Sequence, residues 1–206
     1  MNMISRKAKT KETTPAMRAS LLDLAKDLFA RRGYVGSSLR DLAEAAGVTA
    51  AAVYYHFAKK EDLLQVIIFD GLEQLSHSVV GALAGAGTPQ ERLEALVRAH
   101  LGYNVQYPRE SRIIIEESRF LNEVDYAAAR EKQMAILNVY RACIRQLIAS
   151  GKLEKIDPSL VAFGIISVIV GWYRWYREDG PVPKDQAFEY MVQFALAGAL
   201  HRPAPA

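Results

Sequence analysis

Apolar residues recur at helical spacing along nearly the whole chain, and no stretch shows the sustained apolar–polar alternation of a half-buried strand. The pattern predicts an all-α fold of about nine helices. The first spans about residues 15–32, with Leu21, Leu24, Ala25, Leu28 and Phe29 on one stripe, and Gly33 is placed to end it with a left-handed cap. A second, short helix begins after Ser38, whose hydroxyl can accept from the free amides of the first turn, and it stops at Gly47. A third starts behind Thr49 and continues to Phe57. A long fourth helix opens with Glu61 and Asp62, carboxylates that favour the positive end of a helix dipole, and is expected to reach Leu83. Gly85 and Gly87 then mark a break, with Thr88 as cap and Pro89 at the first helical position. Further helices are predicted over residues 89–106, 110–121, 123–150, 158–177 and 184–201, separated by Pro108, Gly151, Pro158 and the cluster of Gly180, Pro181 and Pro183.

Half of the 206 residues are apolar and 24% are charged, the make-up of a globular protein rather than of a disordered or fibrous one. The single cysteine, Cys143, excludes an internal disulfide and a multi-thiolate zinc site, so a reducing, cytoplasmic setting is expected. The most apolar run, residues 160–173, is interrupted by Arg174, short of the roughly 20 residues of a membrane span. It is expected to be a buried helix, with no membrane partner. The net charge of +3 is unevenly distributed. Residues 1–65 hold eleven Lys and Arg against seven Asp and Glu, whereas the remainder is close to neutral. A basic front end points to a polyanionic partner.

Within that front end, two short helices flank Gly47-Val48-Thr49, the arrangement of a helix-turn-helix whose second helix enters the major groove. Ala43 and Ala46 permit close packing, and Leu42, Val48 and Val53 can fill the shared core. Hydroxyls, lysines and helix N-terminal amides are the usual phosphate ligands. Arg40, Thr49 and Tyr54 could reach base edges, while Ala50, Ala51 and Ala52 offer only methyl groups.

Residues 16–65 resemble the TetR family of bacterial transcriptional repressors. The resemblance rests on Leu28-Phe29-Ala30-Arg31-Arg32-Gly33-Tyr34, Ser38-Leu39-Arg40-Asp41-Leu42-Ala43, Gly47-Val48-Thr49, Tyr54-Tyr55-His56-Phe57 and Lys60-Glu61-Asp62-Leu63-Leu64. It implies that Arg40, Thr49, Ala50, Ala51 and Tyr54 approach bases and that Ser38, Tyr55, His56 and Lys60 grip phosphates. It also implies a homodimer on a palindromic, double-stranded operator, released by a small hydrophobic effector. The chain then divides into a basic tail (1–14), a DNA-binding unit (15–60) and a ligand-binding and dimerisation unit (61–206). Small residues at Gly164, Gly171, Ala195 and Gly198 would let the last two helices pair with those of a second copy.

Candidates for the effector site are polar and aromatic residues on otherwise apolar helices: Tyr103, Asn104, Phe120 and Met134, with His100 beside them. The segment Gly171-Trp172-Tyr173-Arg174-Trp175-Tyr176-Arg177 is similar to the TetR regulators that respond to acyl-CoA thioesters in fatty-acid or steroid breakdown. Trp172, Arg174 and Trp175 would then meet the nucleotide end, through stacking and charge. A helix end whose arginines neutralise the dipole is the alternative.

No enzyme, cofactor or metal reading survives. The four histidines are scattered, and Glu73 with His77 has no second Glu-x-x-His copy to make a ferritin-like site. Glu116 and Glu117 point about 100° apart on a helix, poor geometry for an acid–base pair. No catalytic residue is assigned. Two other readings stay open: a DNA-binding regulator of this fold without a metabolite ligand, and a helical small-molecule-binding protein.

Overall fold

The computed structural model describes residues 13–200, and among these there is no strand. Most of the basic tail and His201 lie outside the described residues. The front of the molecule is built from α1 (Thr13–Arg32), α2 (Leu39–Ala46), α3 (Ala50–His56) and the start of α4 (Lys60–Gly81). Leu21, Ala25 and Phe29 of α1 meet Leu42 and Ala43 of α2, Val53 of α3, and Leu63, Leu64, Ile67 and Ile68 of α4 in one core. The α2–α3 corner is set locally. Ser38 caps α2 in a reciprocal box: its hydroxyl accepts from the Asp41 amide at 3.1 Å, while its own amide donates to the Asp41 carboxylate at 2.8 Å. Gly47 turns the chain at φ +63°, and the Thr49 hydroxyl accepts from the Ala52 amide to start α3.

The larger rear part comprises α5 (Pro89–Gln106), α6 (Pro108–Glu116), α7 (Glu123–Ala149), α8 (Pro158–Val170), the single turn α9 (Trp172–Trp175) and α10 (Lys184–Leu200). Its core joins Leu75 and Val79 of α4 to Leu93, Leu96 and Val97 of α5, Ile136, Tyr140 and Ile144 of α7, and Ile165 and Ile169 of α8. The front core reaches back through Leu72 of α4 to Ile113 and Ile114 of α6 and Ala129 of α7. Helix α4 therefore belongs to both cores.

Two predicted helices depart from the periodicity. Helix α6 starts at Pro108 rather than at residue 110, because proline is accepted at the first helical position, where its missing amide has no partner to lose. It ends at Glu116, and a 3₁₀ turn, Ser118–Phe120, finishes the segment. The expected helix over 158–177 is divided at Gly171, and the chain becomes extended at Tyr176.

The apolar run is not the buried helix that its composition suggests. Only Ala162, Ile165 and Ile169 of α8 are buried, whereas Leu160 is 64% and Phe163 52% exposed. By length and composition Pro158–Trp175 would suffice to cross a membrane, yet only 22% of it is covered. Its open side continues onto α10 at Tyr190 and Phe194.

Two glycine substitutions separate backbone strain from packing. A Cβ at Gly47 would touch nothing, so Gly47→Ala should cost about 1–2 kcal/mol through the left-handed φ alone. Gly102 is also free of neighbours but lies inside α5, so Gly102→Ala should add about 1 kcal/mol of stability. Urea denaturation of both variants reads the two signs.

Candidate nucleic-acid interface and effector cavity

Helix α3 turns Val53 fully into the core and tilts Ala50 partly inward, which leaves Ala51, Tyr54 and Tyr55 on the open face. Tyr54 is 52% and Tyr55 78% exposed. Thr49, at the N-terminus, is exposed, and His56, half-buried, meets Tyr55 edge to face.

Beside that face, Ser38, Arg40, Tyr54, Lys59 and Lys60 line one shallow concavity. Arg40 and Lys59 are exposed there. Lys60 is differently engaged. Its ammonium donates to the carbonyls of Tyr34 (2.7 Å) and Ser37 (2.8 Å) and sits 4.0 Å from the Tyr34 ring centroid. It locks the first turn of α4 to the α1–α2 connection. Lys59, its neighbour, is the free cation of the doublet, and the adjacent lysines were the signal for it. The Ser38 hydroxyl also donates to Asp41 (2.6 Å), which, with the Ser38 amide, holds the Asp41 carboxyl below its usual range.

A cavity of about 280 Å³ lies in the rear part, with Leu72, Leu75, Ile114, Leu137, Ile166 and Val170 among its apolar walls. Tyr103, Asn104 and Met134 line it, as does His100. Ser111, Arg130, Gln133 and Phe163 line it too and were not foreseen. Arg130 and Met134 lie one helical turn apart on α7, a weak signal; Ser111 gave none. The inner polar groups are tied to one another. Ser111 Oγ donates to Asn104 Oδ1 (3.0 Å), and Asn104 Nδ2 donates to the Ile169 carbonyl (3.2 Å) near the end of α8. The Tyr140 hydroxyl donates to the Leu96 carbonyl (3.2 Å), so His100 Nδ1 is the donor to Tyr140 Oη (3.2 Å) and Nε2 carries the lone pair. Burial lowers the His100 pKa from 6.5 to about 4, so the imidazole is neutral.

The other expected effector residues lie elsewhere. Phe120 stacks on Tyr34 in the front core (5.4 Å between centroids). Trp172 is buried, stacks on Tyr176 (4.4 Å), and lines a second groove with Tyr173, Arg109 and Arg112. Trp175 packs edge to face on Trp172, and Arg174 donates to Tyr173, whose hydroxyl donates to Glu116. Of the small residues, Gly164, Ala195 and Gly198 share a groove between α8 and α10, while Gly171 sits at the helix break. Ala195 is itself buried against α8 within the chain.

Nothing among the described residues groups His, Cys, Asp or Glu as a metal site would. His77 bonds the Glu73 backbone carbonyl, Glu116 is paired with Arg112, and burial raises the Cys143 thiol pKa.

A compact helix-turn-helix presenting open aromatics beside cations, carried on a helical body with an apolar cavity, defines a DNA-binding transcriptional regulator. The sequence model for bacterial regulatory proteins of the tetR family matches residues 21–67, and that for the tetracyclin repressor-like C-terminal domain matches residues 86–199. The chain belongs to the TetR family, whose regulators bind DNA operators and are dimers. It is 28% identical to the transcriptional activator FasR of Mycolicibacterium smegmatis, over 90% of this chain and 84% of that one. It is 29% identical to the transcriptional repressor KstR2 of Mycobacterium tuberculosis over 88% and 92%, and the KstR2 structure superposes with a TM-score of 0.83 at 25% identity over 90% and 96%. AibR, solved with isovaleryl coenzyme A and operator DNA, shares the fold at a TM-score of 0.79 and 24% identity over 89% and 97%.

The two lysines should separate on mutation. Lys59→Ala is expected to weaken DNA of any sequence alike and to lower the salt slope by about one, with stability unchanged. Lys60→Ala should instead cost about 1–3 kcal/mol of stability, read by denaturation, because two carbonyls lose their donor.

His100 imposes a pH dependence. Its unfolded pKa near 6.5 exceeds the folded value of about 4, so the unfolded chain takes up the proton first. Stability should fall by roughly 3 kcal/mol as the pH drops from 6.5 to 4, and His100→Gln should flatten the upper part of that window in pH-resolved melting.

Proposed function

We propose that this protein is a dimeric repressor that leaves its palindromic operator when a small hydrophobic effector, an acyl-CoA thioester, occupies the rear cavity. The observation that carries this reading is the position of α6. Ser111, Ile114 and Ile115 face the cavity from one side of it, while Glu110 and Arg109 form ion pairs with Lys26, Asp27 and Asp23 of α1. A molecule that displaces α6 must also displace α1 and the helix-turn-helix packed on it. Only a ligand with unequal affinity for the two arrangements shifts the population.

In this reading residues 15–60 read the operator and residues 61–206 sense and dimerise. Arg40, Thr49, Ala50, Ala51 and Tyr54 approach bases, and Ser38, Tyr55, His56 and Lys59 take phosphates, with Lys60 holding the frame behind them. The open face of α8 and α10 pairs with its copy, and Gly164 and Gly198, where a Cβ meets nothing among the described residues, leave room for that approach. The thioester class is supported by AibR, a protein of this fold solved with isovaleryl coenzyme A. Repression follows KstR2; FasR, an activator, marks the other sign.

The test selects a duplex from random DNA and then titrates acyl-CoAs into the complex. Release by an acyl-CoA, abolished by Ile166→Trp with operator affinity kept, is the expected outcome. Binding to DNA that no acyl-CoA disturbs would leave a regulator without this class of effector. Leu160→Glu should give monomers by light scattering and weaken operator binding at least tenfold.

A further inference from the structure

Tyr103 is 4% exposed and lines the rear cavity, yet among the described residues its hydroxyl has no hydrogen-bond partner. A buried hydroxyl without a partner forfeits its hydration and gains nothing in return. The side chain cannot easily swing elsewhere. Its ring packs against Tyr107, with centroids 5.1 Å apart, and its tip lies under α4 at Gly71. A Cβ at Gly71 would come 3.0 Å from Oη and 2.8 Å from Ile114 Cδ1, so the glycine makes room for the phenol at the α4–α6 seam.

The polar groups around it are otherwise engaged. Asn104 and Ser111 are bonded to each other and to the Ile169 carbonyl, and His100 uses Nδ1 on Tyr140. What remains, besides the half-buried Gln133 amide on α7, is one O–H donor on Tyr103 and the lone pair of His100 Nε2, all uncharged. Arg130, the one Lys or Arg among the described lining residues, belongs to the exposed part of α7. A carboxylate at the inner end would therefore have no cation to pair with, and a plain hydrocarbon would leave the hydroxyl unpaired.

We infer that the cavity selects an effector bearing an uncharged oxygen, a hydroxyl or carbonyl, on its hydrocarbon body, and that this oxygen accepts the Tyr103 hydroxyl proton. The inference rests on the reading of the cavity as the effector site but not on the thioester. Sites built to bond a polar group discriminate strongly against the analogue that lacks it, because the protein's own group is then stranded.

The experiment compares full-length protein with Tyr103→Phe by calorimetry and thermal melting. The ligands are ω-hydroxyacyl-CoAs from butanoyl to dodecanoyl, each against the unsubstituted acyl-CoA of equal length, and decanol against undecane as a pair without thioester. The expected result is a preference of about tenfold for the hydroxylated member of at least one pair, falling to near parity in the variant. Without ligand the variant should melt about 2–4 °C higher, since it removes an unpaired polar atom, whereas a hydroxyl with a structural bond would make it melt lower. Preference in the decanol pair alone would retain the oxygen site and discard the thioester reading. No preference in any pair, a preference that survives in Tyr103→Phe, or a lowered melting point would overturn the inference.

Discussion

The contact between α6 and α1 is what makes one machine of two helical units. Glu110 is almost wholly buried and its carboxylate lies 2.9 Å from the Lys26 ammonium. Removing Lys26 would leave the buried Glu110 carboxylate without its cation, whereas the ammonium is partly open to solvent. The flanking bonds from Arg109 to Asp23 and Asp27 are more open and contribute less energy, but they fix the angle at which α6 meets α1.

Helix α4 supplies the second restraint. Its first turn is held to the α1–α2 connection by Lys60, its middle fills the front core, and its last turns enter the rear core. Leu72 and Leu75, near the change from one core to the other, both face the cavity. The fourth helix runs as a continuous rod from Lys60 to Gly81, two residues short of the expected Leu83, and the Lys60 ammonium clamps its near end to the helix-turn-helix unit.

The reading head was legible in the sequence because its geometry is set by neighbours in the chain. Ser38 with Asp41, the left-handed Gly47 and the Thr49 cap each act over three or four residues, and each stands where pattern placed it. The cavity was only partly legible, since its walls come from five helices and no spacing within one helix reports which residues converge. Tyr103, Asn104 and Met134 were found as polar or soft residues on apolar helices, but the same reasoning chose Phe120, which fills the front core instead. The tryptophan segment could not be placed from spacing for a related reason: Gly171 interrupts the helix, so the aromatic cluster stacks on itself beside a different groove. Lys60 looked like a surface cation, and only two carbonyls from residues distant in sequence reveal its occupation.

Helix α8 uses two of its sides at once. Phe163, Ile166 and Val170 border the cavity, and Leu160, Gly164 and Val168 border the groove shared with α10. A solitary chain consequently leaves a greasy stripe through Leu160, Phe163 and Phe194 open. In a family whose regulators are dimers, the population of paired molecules rises with the square of the free chain. Halving the gene dose would then remove more than half of the operator occupancy when the regulator is scarce, so cellular abundance becomes a control in its own right.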